Sequence, residues 1–119
     1  MAETTRRLLM LAALGAIAAA APARAADTLR FWNLTGETVD DLRLAAAGSD
    51  QFGSNQCAND KDGSVDNDER LRLTGIEPGR YDVKLRWKSG RQCTVHGVQL
   101  RGEGKYAFSL EPKDLQECR

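Results

Sequence analysis

Tyr81-Asp82-Val83-Lys84-Leu85-Arg86-Trp87 is the stretch on which the fold turns. Tyr81, Val83, Leu85 and Trp87 alternate without a break with Asp82, Lys84 and Arg86. Successive side chains of a strand point to opposite faces, so this run reads as a strand with one buried and one wet face, the habit of antiparallel sheets. Outward from it, short alternating or β-branched runs predict strands at Leu29 to Leu34, Thr38 to Ala45, Arg70 to Leu73, Arg80 to Trp87, Gln92 to Val95, Val98 to Leu100 and Tyr106 to Leu110. Thr35-Gly36, Gly48-Ser49-Asp50, Pro78-Gly79, Ser89-Gly90 and Gly102-Glu103-Gly104 are the turns between them. Seven short strands at this spacing predict an all-β chain, a single small antiparallel sandwich, with one helical turn at Pro112 to Cys118. Trp87, Tyr81 and Trp32 are assigned to its core.

The N-terminus reads as a cleaved signal segment over residues 1–25. Arg6 and Arg7 form a charged start, Leu8 to Ala21 an apolar run too short for a comfortable span, and Ala23-Arg24-Ala25 a small-residue cleavage site. Thr5-Arg6-Arg7-Leu8-Leu9-Met10 resembles a twin-arginine signal in which Leu9 replaces the usual Phe, so ordinary secretion stays open. Residues 26–119 are expected to form one domain, periplasmic or secreted, without a membrane anchor. Cleavage leaves 14 basic and 16 acidic residues. That balance supplies neither a nucleic-acid footprint nor a polybasic membrane patch.

Three cysteines in an exported chain imply one disulfide and one leftover thiol. Of the three pairings, Cys93 with Cys118 is favoured. It ties the C-terminal tail to a central strand, and closing a loop of that length is worth roughly 3 kcal/mol in the chain-entropy model. Cys57 is then free. A soft thiolate there suits neither calcium nor a lanthanide.

Ala58-Asn59-Asp60-Lys61-Asp62-Gly63-Ser64-Val65-Asp66-Asn67-Asp68-Glu69 has the spacing of a twelve-residue calcium loop. Asp60, Asp62, the Ser64 carbonyl, Asp66 and Glu69 fall on the third, fifth, seventh, ninth and twelfth positions, with Gly63 at the turn and Val65 in the apolar slot. Ala58 stands where the first carboxylate belongs. Asn55, Asn59, Asp50, water or a carboxylate from a second copy are the candidates to replace it. Asp68 adds a fifth carboxylate within ten residues, and the mutual repulsion of these anions is what a hard, oxygen-seeking cation would cancel. The flanks alternate like strands rather than amphipathic helices, which favours a carrier or structural metal site over an opening sensor. High charge density favours trivalent ions over calcium. The bland alternative is a solvated acidic hairpin turning at Asp62-Gly63.

Two further stretches carry resemblances. Leu73-Thr74-Gly75-Ile76-Glu77-Pro78-Gly79-Arg80-Tyr81-Asp82-Val83 resembles the L-x-x-I/L-x-P-G-x-Y-x-V corner of prealbumin-like sandwich modules, which implies a prealbumin-like or immunoglobulin-like fold. Phe31-Trp32-Asn33-Leu34-Thr35-Gly36 followed by Ala47-Gly48-Ser49-Asp50-Gln51-Phe52-Gly53 is similar to a group of small exported bacterial proteins with the pattern N-x-T-G, a strand, then S-G-S-D-x-W-G. Against that group the acidic loop is an insertion. In compartment, size and carboxylate-rich loop the chain also resembles the landiscernin-like and lanmodulin-like lanthanide-binding proteins of methylotrophs, which implies a lanthanide or calcium as the bound ion.

Catalysis is not expected. His96, the only histidine, sits in Val95-His96-Gly97-Val98 and reads as a satisfied structural imidazole. Cys-x-x-Cys, Gly-x-Ser-x-Gly and Walker patterns do not occur in the sequence. The competing function is a metal-free sandwich that recognises a protein or glycan, with Arg43, Arg72, Arg86 and Arg101 as its contact residues.

Overall fold

The computed structural model describes residues 29–118. The signal segment read at 1–25 lies outside the described residues. Six strands are present: β1 (Arg30–Asn33), β2 (Val39–Ala46), β3 (Arg70–Arg72), β4 (Gly79–Trp87), β5 (Gln92–Leu100) and β6 (Phe108–Leu110). They form two three-stranded sheets, ordered β3-β1-β6 and β2-β4-β5. In the first, β1 is antiparallel to β3 and parallel to β6. The second is wholly antiparallel, with the alternating run Tyr81–Trp87 in its central strand.

The alternation holds from Val83 to Trp87, whereas Asp82, read on the wet face, is buried and Tyr81 is only half-buried. On β4, Val83, Leu85 and Trp87 are buried beside Leu42 and Leu44 of β2, while Phe31, Leu71, Phe108 and Leu110 supply the inner face of the other sheet to the same core. This is an all-β fold of two small sheets around one apolar core, and it departs from the expected antiparallel sandwich in the parallel β1–β6 pair and from the sequence reading in the places that follow.

The strands predicted at Gln92 to Val95 and Val98 to Leu100 are one strand. Val83 pairs Val95 and Tyr81 pairs Val98, so β5 carries one residue more than β4 across this step. Gly97 takes φ +69° there, and its amide donates to Asp82 Oδ1 at 3.0 Å. A glycine in the left-handed region lets the chain bulge without leaving the sheet.

Trp32 is not a core residue. Phe31 takes the inward position of β1, and the strand period turns Trp32 to the outer face, half-exposed. His96 is also at the surface, its side chain 62% exposed, with Nδ1 3.3 Å from Asp82 Oδ1. Tyr81 is half-buried, and its hydroxyl donates to the Glu77 carbonyl at 2.7 Å. That bond fastens the Pro-Gly corner to β4.

The Cys93–Cys118 disulfide is present, with Cα atoms 5.1 Å apart, and Cys57 is free and buried. Pro112–Cys118 is a short 3-10 segment interrupted at Leu115, laid against the core through Leu115.

Candidate functional site

The acidic loop is held by its middle. Val65 is buried, and its amide and carbonyl exchange hydrogen bonds with Val39 of β2 at 2.9 and 3.0 Å. Before that anchor, Gln56–Asn59 forms a 3-10 turn capped by Asn55, whose Oδ1 accepts from the Cys57 amide. The chain then reverses at Asp60–Gly63: the Gly63 amide donates to the Asp60 carbonyl at 3.0 Å, and the Asp62 amide to Asp60 Oδ2 at 2.8 Å. Gly63 takes φ +72°, which favours glycine.

After the anchor, the Asp66 amide donates to Glu69 Oε1 at 3.0 Å and Thr38 Oγ1 to Asp66 Oδ1 at 2.9 Å. Trp32 Nε1 donates to Asp68 Oδ1 at 3.1 Å. Asp68 itself holds φ +73°. These carboxylates therefore each spend one oxygen on a protein donor. Among the described residues, no three Asp, Glu, His or Cys side chains are gathered closely enough to hold a metal ion. Yet among the described residues none of Asp60, Asp62, Asp66, Asp68 and Glu69 has an ion-pair partner, whereas Glu37, Asp40, Asp41 and Asp82 face Arg91, Arg86, Arg43 and His96.

Two residues considered for the missing first ligand are committed elsewhere. Asn55 Oδ1 accepts from the Leu42 and Cys57 amides. Asn59 donates to Gln56 Oε1 and the Arg72 carbonyl, and its Oδ1 accepts from Thr74 Oγ1. Asp50, in the loop after β2, lines an open cleft of about 490 Å³ with Asp41, Arg43, Phe52, Lys84 and Arg86. Cys57 is sealed in the core with Sγ 3.6 Å from the Val39 carbonyl, and burial pushes its thiol up to about 12. It stays a thiol at neutral pH.

The network that fixes the loop was not found by the sequence reading. Asn33, fully buried, donates through Nδ2 to the Glu37 carbonyl at 2.8 Å and the Val65 carbonyl at 2.9 Å. Its Oδ1 accepts from the Thr35 amide at 3.0 Å and Thr35 Oγ1 at 2.7 Å. Trp87 Nε1 then donates to Thr35 Oγ1 at 2.9 Å. All four side-chain hydrogen-bonding positions of the buried amide are thereby used, two as donor and two as acceptor. The N-x-T-G motif is thus a buried polar knot joining β1, the loop anchor and the core indole.

The arginines named as contact residues fall on two faces. Arg43 and Arg86 lie on the β2-β4-β5 face, paired with Asp41 at 2.8 Å and Asp40 at 3.0 Å. Arg72 stands on the outer face of β3-β1-β6, opposite Arg30 in register, with Trp32 opposite Arg70. Beside them, Arg70 stacks on Trp32 at 4.2 Å, Trp32 meets Tyr106 at 5.1 Å, and Arg101 lies 5.8 Å from the Tyr106 ring.

No protein-family model matches the chain, nor does any curated protein. A solved NMR structure of a protein from Eubacterium rectale is similar over 76% of this chain and 84% of that chain, with 18% identity and a TM-score of 0.45.

Proposed function

We propose that the chain is an exported protein, periplasmic or secreted, that binds a hard cation, calcium or a trivalent lanthanide, through the loop Asp60–Glu69. The observation that carries this reading is the set of five carboxylates that, among the described residues, have no ion-pair partner. Gly63 in the left-handed region and buried Val65 occupy the sixth and eighth positions of the twelve-residue pattern. Asp62, Asp66, Asp68 and Glu69 are exposed, so their side chains reorient on a fast timescale without disturbing the core. Asp60, Asp62, Asp66, Glu69 and the Ser64 carbonyl are the ligands, and Asp68 is accessory charge. With Asn55 and Asn59 engaged, water or a second copy's carboxylate completes the set. The disulfide supports an oxidising compartment.

Calorimetric titration of the mature protein with calcium and with terbium tests this. Binding heat is expected with at least one ion, lost in Asp62→Asn/Glu69→Gln and strengthened for calcium by Ala58→Asp. Trp32 bonds Asp68, so a terbium ion on the loop should emit when the indoles are excited, and Trp32→Phe should reduce that emission to the share passed on by Trp87 while leaving the heat. Absence of heat and of any thermal shift at millimolar ion overturns the reading.

A further inference from the structure

The outer face of β3-β1-β6 carries a concentration of positive charge that the fold does not neutralise. Arg30, Arg70 and Arg72 project from it and are exposed, and Arg101 borders it. Among the described residues none of the four has an ion-pair partner. Arg30 and Arg72 are direct cross-strand neighbours, and like charges so placed oppose folding. On the other sheet, by contrast, Arg43 and Arg86 each have a carboxylate, and Arg80 stands apart from them.

Two of the four guanidinium groups are oriented by aromatic rings. Arg70 over Trp32 and Arg101 near Tyr106 lose rotamer freedom before any ligand arrives. Arg70, stacked on Trp32, keeps its N–H edges free, and those edges fit a carboxylate in a two-pronged bond. The ordering cost is thus partly met in the unbound protein, which is how preorganised surfaces gain affinity. One face of the Trp32 ring is covered by Arg70 and the indole also meets Tyr106, so it is not an open platform for a sugar.

We infer that this face docks a short carboxylate-rich polypeptide segment of a partner protein, held by Arg30, Arg70, Arg72 and Arg101. The size and border of the patch select that occupant. Three strands of three or four residues give a footprint of roughly 10 by 10 Å, room for a few carboxylates rather than a long polyanion. Asp68, bonded to Trp32, and Glu69, adjoining Arg70, set negative charge at its rim. An anionic membrane or an extended acidic polysaccharide laid across the face meets that rim and is repelled, while a short segment stops before it. The inference is independent of cation binding by the loop.

The test is a titration of the full mature protein, in metal-depleted buffer of low salt, with a short synthetic Asp/Glu-rich peptide, read by tryptophan emission, in which buried Trp87 supplies a constant background, and by calorimetry. The peptide is expected to bind, and its affinity to fall as salt rises, since screening weakens exposed charge pairs. Arg70→Glu/Arg72→Glu should weaken it by about tenfold or more, each lost charge-assisted contact counting for about that much. Arg70→Lys/Arg72→Lys should fall between that variant and the wild type, because the charge remains and the fork is lost. Arg43→Glu/Arg86→Glu, on the opposite face, should bind as the wild type does, and circular dichroism should show every variant folded. No peptide binding at low salt overturns the inference, as does equal weakening by the two Glu pairs. Tighter binding of a sulfated glycan or of phosphatidylglycerol vesicles than of the peptide, with the same dependence on Arg70 and Arg72, overturns it too.

Discussion

Asn33 is the residue that most of the loop geometry depends on. Its amide serves Glu37, Val65 and Thr35 at once, and Val65 carries the loop. Asn33→Ala leaves buried partners without hydrogen bonds, at about 1–3 kcal/mol for each one stranded. The variant should lose about 3 kcal/mol or more, measured by urea unfolding, with loop amides exchanging faster in hydrogen-exchange experiments. The N-x-T-G pattern was legible as a motif. Its role was not, because the carbonyl of Val65 and the indole of Trp87 lie 32 and 52 positions from Asn33 and Thr35, respectively. Asp82 is a second such residue. The Gly48 and Gly97 amides, and then His96, hold its carboxyl below the ordinary carboxylate range against the opposing effect of burial. A lowered folded-state value means the stabilisation is complete above the ordinary carboxylate value, about 3.9, and is lost as pH falls through the lower folded value. Asp82→Asn should therefore lower the melting temperature at pH 7, and the gap from wild type should shrink as the solution is acidified toward pH 2.

At the scale of elements, period-two alternation located every strand, because burial on one face imposes it directly. Interruptions were harder to read. Val95-His96-Gly97-Val98 looks like two strands with a break, since a bulge and a turn both use glycine and a polar neighbour. What separates them is the Asp82 carboxylate on β4 receiving the Gly97 amide, a partner that only pairing brings near. An alanine at position 97 must hold φ +69° with its Cβ 3.0 Å from Arg80 Nη2. The arginine tip can move, so the backbone sets the cost, about 1–2 kcal/mol. Thermal melts of Gly97→Ala should show this loss with the sheet retained. The assignment of Trp32 to the core failed for a related reason: Phe31-Trp32 offers two aromatic residues on opposite faces, and local sequence does not say which faces in. Reducing the Cys93–Cys118 bond frees the C-terminal 3-10 segment from β5. Cys93→Ser/Cys118→Ser should cost about 3 kcal/mol, visible as a melting-temperature drop of roughly ten degrees or more.

Across the whole molecule, charge is sorted in a way composition conceals. The sequence is formally neutral, yet on the β2-β4-β5 face Arg43 and Arg86 are neutralised by Asp41 and Asp40, while among the described residues anions without ion-pair partners gather on the loop and arginines without them on the adjacent sheet. The acidic spacing was legible because it is contiguous. The arginine face was only half legible, since Arg30, Arg70, Arg72 and Arg101 come from three separate segments, and Arg43 and Arg86 share their strand-borne appearance without sharing their surroundings. The interior placement of Cys57 has a consequence for how the chain acquires its covalent link. An oxidising environment offers three thiols and so three alternative bonds, two of them wrong. Once β2 closes over Cys57, its buried thiol, held protonated, can neither attack a mixed disulfide nor be attacked. Folding thus proofreads oxidation: a chain that reaches its native packing before bonding leaves only Cys93 and Cys118 to react, and a chain bonded through Cys57 cannot complete its core and stays open to exchange. Refolding from the reduced state should give the correct isomer without an isomerase, and Cys57 of the finished protein should react with a thiol reagent only at the rate of global unfolding.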